Sequence, residues 1–97
     1  MRGELVFHEK RYFNETSFQE IKIWKVPESE DKPHGFKYSF AYLVNNERIV
    51  CYDNAEGKGD HKHYREKEYP YKFQSIRQLW KDFIKDIKRF KETVNES

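Results

Sequence analysis

The sequence predicts an α+β fold: an antiparallel meander of five or six strands with one long C-terminal helix packed on one face. Two patterns carry this. Phe36, Tyr38, Phe40, Tyr42 and Val44 recur at period two, the mark of a strand with one buried face. From Ile76 the period changes: Ile76, Leu79, Trp80, Phe83, Ile84 and Ile87 follow i, i+3, i+4, i+7 spacing, the mark of a helix with one apolar face. The strand-like runs followed by a single helix give the α+β architecture.

Along the chain, 1–15 alternates imperfectly and reads as an edge strand. Ser17 to Val26 is firmer, with Ile21 and Ile23 opposed to Lys22, Trp24 and Val26. Pro27 to Gly35 is a loop: two prolines and several acidic residues oppose ladder pairing, and Gly35 permits a positive φ. Phe36–Val44 and Arg48–Asp53 form a hairpin about the "NNE" turn. "HKHYR" (His61 to Arg65) and "YPYKF" (Tyr69 to Phe73) complete the strands. Ser75 and Gln78 have capping-box spacing at the helix start. Outside the apolar face lie Lys81, Lys85, Lys88, Arg89 and Lys91, which a solvated surface explains as well as a nucleic-acid contact does.

At 97 residues the chain reads as one domain, 1–97, with 93–97 as a fraying tail. Its core is thin for this size, and eight Phe, seven Tyr and two Trp compensate by burying large rings. A formal charge of +2 is too small to mark an obligate DNA binder. Cys51 is the single cysteine, so no internal disulfide can form, and within its strand it reads as a buried thiol. With neither a signal-peptide pattern nor a membrane-spanning apolar run, the expectation is a cytoplasmic protein without membrane contact.

The chemistry concentrates in "YDNAEGKGDHKHY", Tyr52 to Tyr64. Gly57 and Gly59 are half of the four glycines. Such a turn can expose successive N–H groups to an anion, with Lys58 adding charge, although hairpin loops also need glycine for steric reasons. On a strand, His61 and His63 share a face, with Arg65 next in line. Paired imidazoles suit acid–base work on a phosphate: one deprotonates a hydroxyl and a second group protonates the leaving oxygen. Lys58 or Arg65 would stabilise the phosphate charge. Asp53 and Asp60 bracket the loop as turn caps or as carboxylates that orient a histidine, and Asn54 is a turn residue or a substrate contact. His61, His63 and Asp60 are an acceptable metal-ligand set. Without a second cluster of ligands no cofactor is expected, while a divalent metal stays open. His8 and His34 are isolated and read as surface residues. Trp24 and the tyrosines could stack on RNA bases, though packing accounts for most of them.

This segment, followed by "YPYKFQSIRQLWKDFIKDI", resembles the signature of the TumE family, small prokaryotic toxins of toxin–antitoxin systems. The hallmark resembles Y-D-N-x-x-G-K-G-D-H-x-H, matched by Tyr52, Asp53, Asn54, Gly57, Lys58, Gly59, Asp60, His61 and His63. The helix "DF" pair, Asp82 and Phe83, also fits. The resemblance covers about Phe18 to Ile87 and is loose before Phe18. It implies a toxin with a DNA-binding antitoxin as partner.

The expectation is a metal-independent ribonuclease toxin acting on cellular RNA. His61 and His63 would be the acid–base groups, Lys58 the electrostatic stabiliser and Asp60 the orienting carboxylate. Gly57, Gly59, Arg65, Asn54 and Asp53 would shape the loop or bind substrate phosphate. The RNA 2′-OH would serve as nucleophile. Two alternatives remain: a nucleotidyl or other group transferase toxin, and a non-enzymatic RNA- or protein-binding module. Homodimerisation stays open.

Overall fold

The computed structural model describes residues 3–30, 32–54 and 59–95. Six strands, β1 (Glu4–Tyr12), β2 (Ser17–Lys25), β3 (Phe36–Val44), β4 (Glu47–Asp53), β5 (His61–Tyr64) and β6 (Lys67–Pro70), form one antiparallel sheet in chain order. The helix α1 (Ile76–Asn95) follows. Local chemistry closes each described turn. Asn14 Oδ1 accepts from the N–H groups of Thr16 and Ser17 at 2.8 and 2.9 Å between β1 and β2. Asn45 and Asn46, with φ of 52° and 64°, give the β3–β4 hairpin the left-handed pair that a type I′ turn requires. Gly35 takes φ 78° as its carbonyl accepts the Val26 N–H at the loop's close.

The final strand differs from the expectation of Tyr69 to Phe73. It starts at Lys67, directly after the Arg65–Glu66 turn, and ends at Pro70, which has no N–H to extend a ladder. Tyr71 to Phe73 leave the sheet and fold back toward the core.

At the helix start Ser75 Oγ caps the Gln78 N–H at 3.0 Å. The reciprocal half of the capping box is absent, because the Gln78 amide reaches Asp82 at 2.9 Å instead. Leu79, Phe83, Ile87 and Phe90 bury against Phe40, Tyr42, Val50 and Tyr52. Ile84, expected on this face, is 37 % exposed, while Asp86 is only 7 % exposed. The carboxylate of Asp86 accepts from Tyr52 Oη at 2.6 Å and Lys62 Nζ at 3.2 Å. Asp82 likewise accepts from Tyr71 Oη at 2.5 Å. The "DF" pair thus has two jobs: Asp82 ties down the segment after β6, and Phe83 fills the core. Burial, and then the facing carboxylates, push the Tyr52 and Tyr71 phenols above their ordinary range, so both remain hydrogen-bond donors at neutral pH.

Beyond Asp53, Asn54 continues β4 with its side chain. Its Oδ1 accepts the Tyr38 N–H at 3.0 Å and its Nδ2 donates to the Phe36 carbonyl at 2.8 Å, with the residue fully buried. Its side-chain amide thus bonds the backbone of β3 just beyond the end of β4. Asn54→Ala strands the buried Tyr38 N–H and the half-buried Phe36 C=O, and an unpaired buried group costs about 1–3 kcal/mol. Urea unfolding is expected to show a loss of about 2–4 kcal/mol with an unchanged slope against denaturant.

Strand parity sorts the other side chains. Tyr52, Lys62 and Tyr64 face the helix, where Lys62 meets Asp86 and the Arg89 guanidinium lies 4.8 Å from the Tyr64 ring. Their neighbours Cys51, Asp53, His61 and His63 therefore face the opposite side, which no described element covers. Cys51 is buried there, and burial pushes its thiol up. Farther across this open face lie Lys10, Phe18, Lys22, Trp24 and Lys37. Glu20, also on it, is held below the ordinary carboxylate range, first by its hydrogen bond with His8. Among the described residues no helix is long and apolar enough to cross a membrane.

Candidate functional site

His61 and His63 stand two residues apart on β5 and share the open face. Their rings lie 5.4 Å apart with planes at 73°. β4 places Asp53 opposite His61, and β6 places Glu68 opposite His63. His61 Nδ1 lies 3.1 Å from the Gly59 carbonyl, and its Nε2 lies 3.0 Å from Asp53 Oδ1 and 3.8 Å from Glu68 Oε2. The Gly59 carbonyl can only accept, so Nδ1–H donates to it, and Nε2 faces the two carboxylates. Gly59, at φ 75°, turns its carbonyl toward the ring from a backbone conformation that glycine adopts without strain. The His63 Nε2 lies 3.6 Å from Glu68 Oε1. The His61 side chain is 9 % exposed and that of His63 is 40 % exposed, so His61 is fixed and His63 accessible.

Asp60, expected to orient this pair, turns elsewhere. It accepts from Tyr38 Oη at 2.7 Å and meets His34 Nε2 at 3.1 Å. The His34 Nδ1 accepts the Phe36 N–H at 3.2 Å, which leaves Nε2–H as the donor to Asp60. The His34 ring packs 3.9 Å from the Phe73 ring centroid. His34 is therefore an interior partner of the loop's aspartate, not an isolated surface residue. Its contact spans 26 residues and leaves no local sequence signal. Burial, followed by the Asp60 carboxylate, pushes the Tyr38 phenol above its ordinary range.

Arg65 also leaves the expected line. It sits in the β5–β6 turn at φ 58°, with its guanidinium 5.2 Å from the Phe90 ring on the helix side. Gly57 and Lys58 lie outside the described residues. The site thus assembles His61, His63, Asp53 and Gly59 from the expected set and adds Glu68. No local sequence signal marks Glu68, because its approach to His63 depends on the register of β6. His61, His63 and Glu68 hold their candidate ligand atoms within 4.8 Å of one another. With Glu68 in place of Asp60, they are, among the described residues, the ones that could hold a metal.

Among known proteins, a family model described as "Toxin TumE" matches residues 2–91. The match includes β1 and so reaches well before Phe18. No curated protein and no solved structure matches the chain.

Proposed function

The chain belongs to the TumE toxin family, and on that premise we propose that it arrests growth by cleaving cellular RNA, with His61 and His63 as the acid–base pair. The observation that carries this reading is the placement of two carboxylate-paired histidines on a sheet face that also bears lysines and aromatic rings. Single-stranded RNA would lie across that face. Trp24 and Phe18 would stack bases, and the lysines now 5.0 and 4.8 Å from those rings would move to the phosphates.

In the proposed step the RNA 2′-oxygen attacks the adjacent phosphorus as the accessible His63 takes its proton. The bond from phosphorus to the 5′-oxygen breaks, and that oxygen receives a proton from His61. The products are a 2′,3′-cyclic phosphate and a 5′-hydroxyl end. Asp53 and the Gly59 carbonyl position His61, and Glu68 positions His63. Lys58 keeps its proposed role as the cation facing the phosphate. A toxin of this family implies an antitoxin partner, and a DNA-binding antitoxin fits the proposal.

The test uses purified protein, labelled single-stranded RNA and analysis of product ends. Cyclic phosphate ends in the presence of chelator support the mechanism; intact RNA, or a mass increase on RNA incubated with nucleotide, overturns it. On His63→Ala protein, Trp24→Ala is expected to weaken RNA binding about tenfold by fluorescence anisotropy, in line with about 1–3 kcal/mol per stacked base. An unchanged Kd removes the open face as the RNA platform.

A further inference from the structure

We propose that His61, His63 and Glu68, with Asp53 beside them, form a binding site for a divalent transition cation of the Zn²⁺ class, and that the bound ion switches the histidine chemistry off. The first half stands on geometry; the second rests on the ribonuclease reading above.

A zinc ion binds imidazole nitrogen at about 2.0–2.1 Å and carboxylate oxygen at about 2.0–2.2 Å. Two such donors on one ion consequently sit roughly 3.0–3.4 Å apart for angles between square and tetrahedral. The His61 Nε2 lies 3.0 Å from Asp53 Oδ1, and Glu68 oxygens lie 3.8 Å from His61 Nε2 and 3.6 Å from His63 Nε2. The three ligand atoms of His61, His63 and Glu68 lie within 4.8 Å of one another, so closure by about 1.4 Å, through the exposed His63 ring and Glu68, half exposed on edge strand β6, brings the set to bonding geometry.

The orientation of His61 is that of a metal ligand. Its Nδ1–H is held by the Gly59 carbonyl, the backbone contact that fixes the tautomer of ligating histidines and directs Nε2 to the ion. In that tautomer the Nε2 lone pair faces the Asp53 and Glu68 carboxylates, a set of donors that a cation would bridge. The donor set also selects the ion. Two imidazoles with one or two carboxylates suit zinc and its neighbours, whereas Mg²⁺ prefers oxygen ligands and retains its water. Asp60 is no member, since His34 and Tyr38 already hold it.

An ion bound to both Nε2 atoms occupies the lone pair with which His63 would accept a proton. Occupancy and acid–base turnover therefore exclude each other.

The experiment is calorimetric titration of the untagged, metal-stripped full chain with ZnCl₂ and, separately, MgCl₂, followed by RNA cleavage with and without zinc. The expected result is one zinc per chain and no heat from magnesium. Affinity should fall at least tenfold in Glu68→Gln and His63→Ala, both at exposed positions, and stay unchanged in His8→Ala. Cleavage should stop with zinc and return with chelator. No zinc binding, or equal binding by wild type and Glu68→Gln, overturns the site and leaves the ribonuclease reading standing. Zinc binding by a protein that never cleaves RNA supports the site and overturns the ribonuclease reading. Binding that activates cleavage supports the site and overturns the switch.

Discussion

Replacing both His61 and His63 by Ala is expected to lower RNA cleavage by at least about a thousandfold, because a positioned general acid or base contributes about 10²–10⁴-fold. Cells inducing the double variant should grow like those with empty vector and show no new RNA ends on sequencing. The two residues act in one proton relay, so each single variant should lose nearly as much as the pair. His61 is almost enclosed, and its removal also leaves Asp53 without its imidazole contact. Circular dichroism and a melting curve must accompany each variant, and His63→Ala, at a more exposed position, separates chemistry from folding. Growth arrest that survives in a folded double variant would take the histidines out of the mechanism.

Phe83→Ala is expected to cost about 3–5 kcal/mol, the range for truncating a fully buried phenylalanine. Phe83 has no exposure and meets the Phe40 ring edge-on at 5.4 Å and the Tyr52 ring at 6.2 Å. It is the central apolar side chain by which α1 holds the sheet. The melting temperature should fall by roughly 12 °C or more, at about 4–8 °C per kcal/mol for a chain of this size. Ile84→Ala, one position along, should stay within about 1 kcal/mol because its side chain is well exposed. Denaturant unfolding of the two variants reads the contrast directly. Equal losses would mean that the helix docks by a different face.

Where side-chain periodicity was strong, the sequence was legible. Ile21 and Ile23 on β2, and Tyr38, Phe40 and Tyr42 on β3, mark their buried face by alternation alone. Parity on β5 likewise put His61 and His63 on one face. Parity cannot tell which carboxylate arrives opposite them, since that follows from the length of the turn into the next strand. A two-residue turn brings Glu68 to His63, while Asp60 goes to His34. The helix misled in a related way. Apolarity favoured Ile84 over Asp86, but Tyr52 and Lys62 supply partners that make burial of Asp86 affordable. Asn54 had the look of a turn residue, and only its two backbone contacts with β3 show that it extends a strand.

The strictly sequential strand order has a kinetic consequence. Every pairing joins neighbours in the chain, so each hairpin needs only a short loop closure and assembly can proceed strand by strand as the polypeptide leaves the ribosome. The face bearing His61 and His63 is then built before α1 exists to cover the other. Until the helix emerges, Phe40, Val50 and Tyr52 lack the apolar cover that Leu79, Phe83 and Ile87 supply, and this nascent interval is when the chain is most exposed to aggregation and proteolysis.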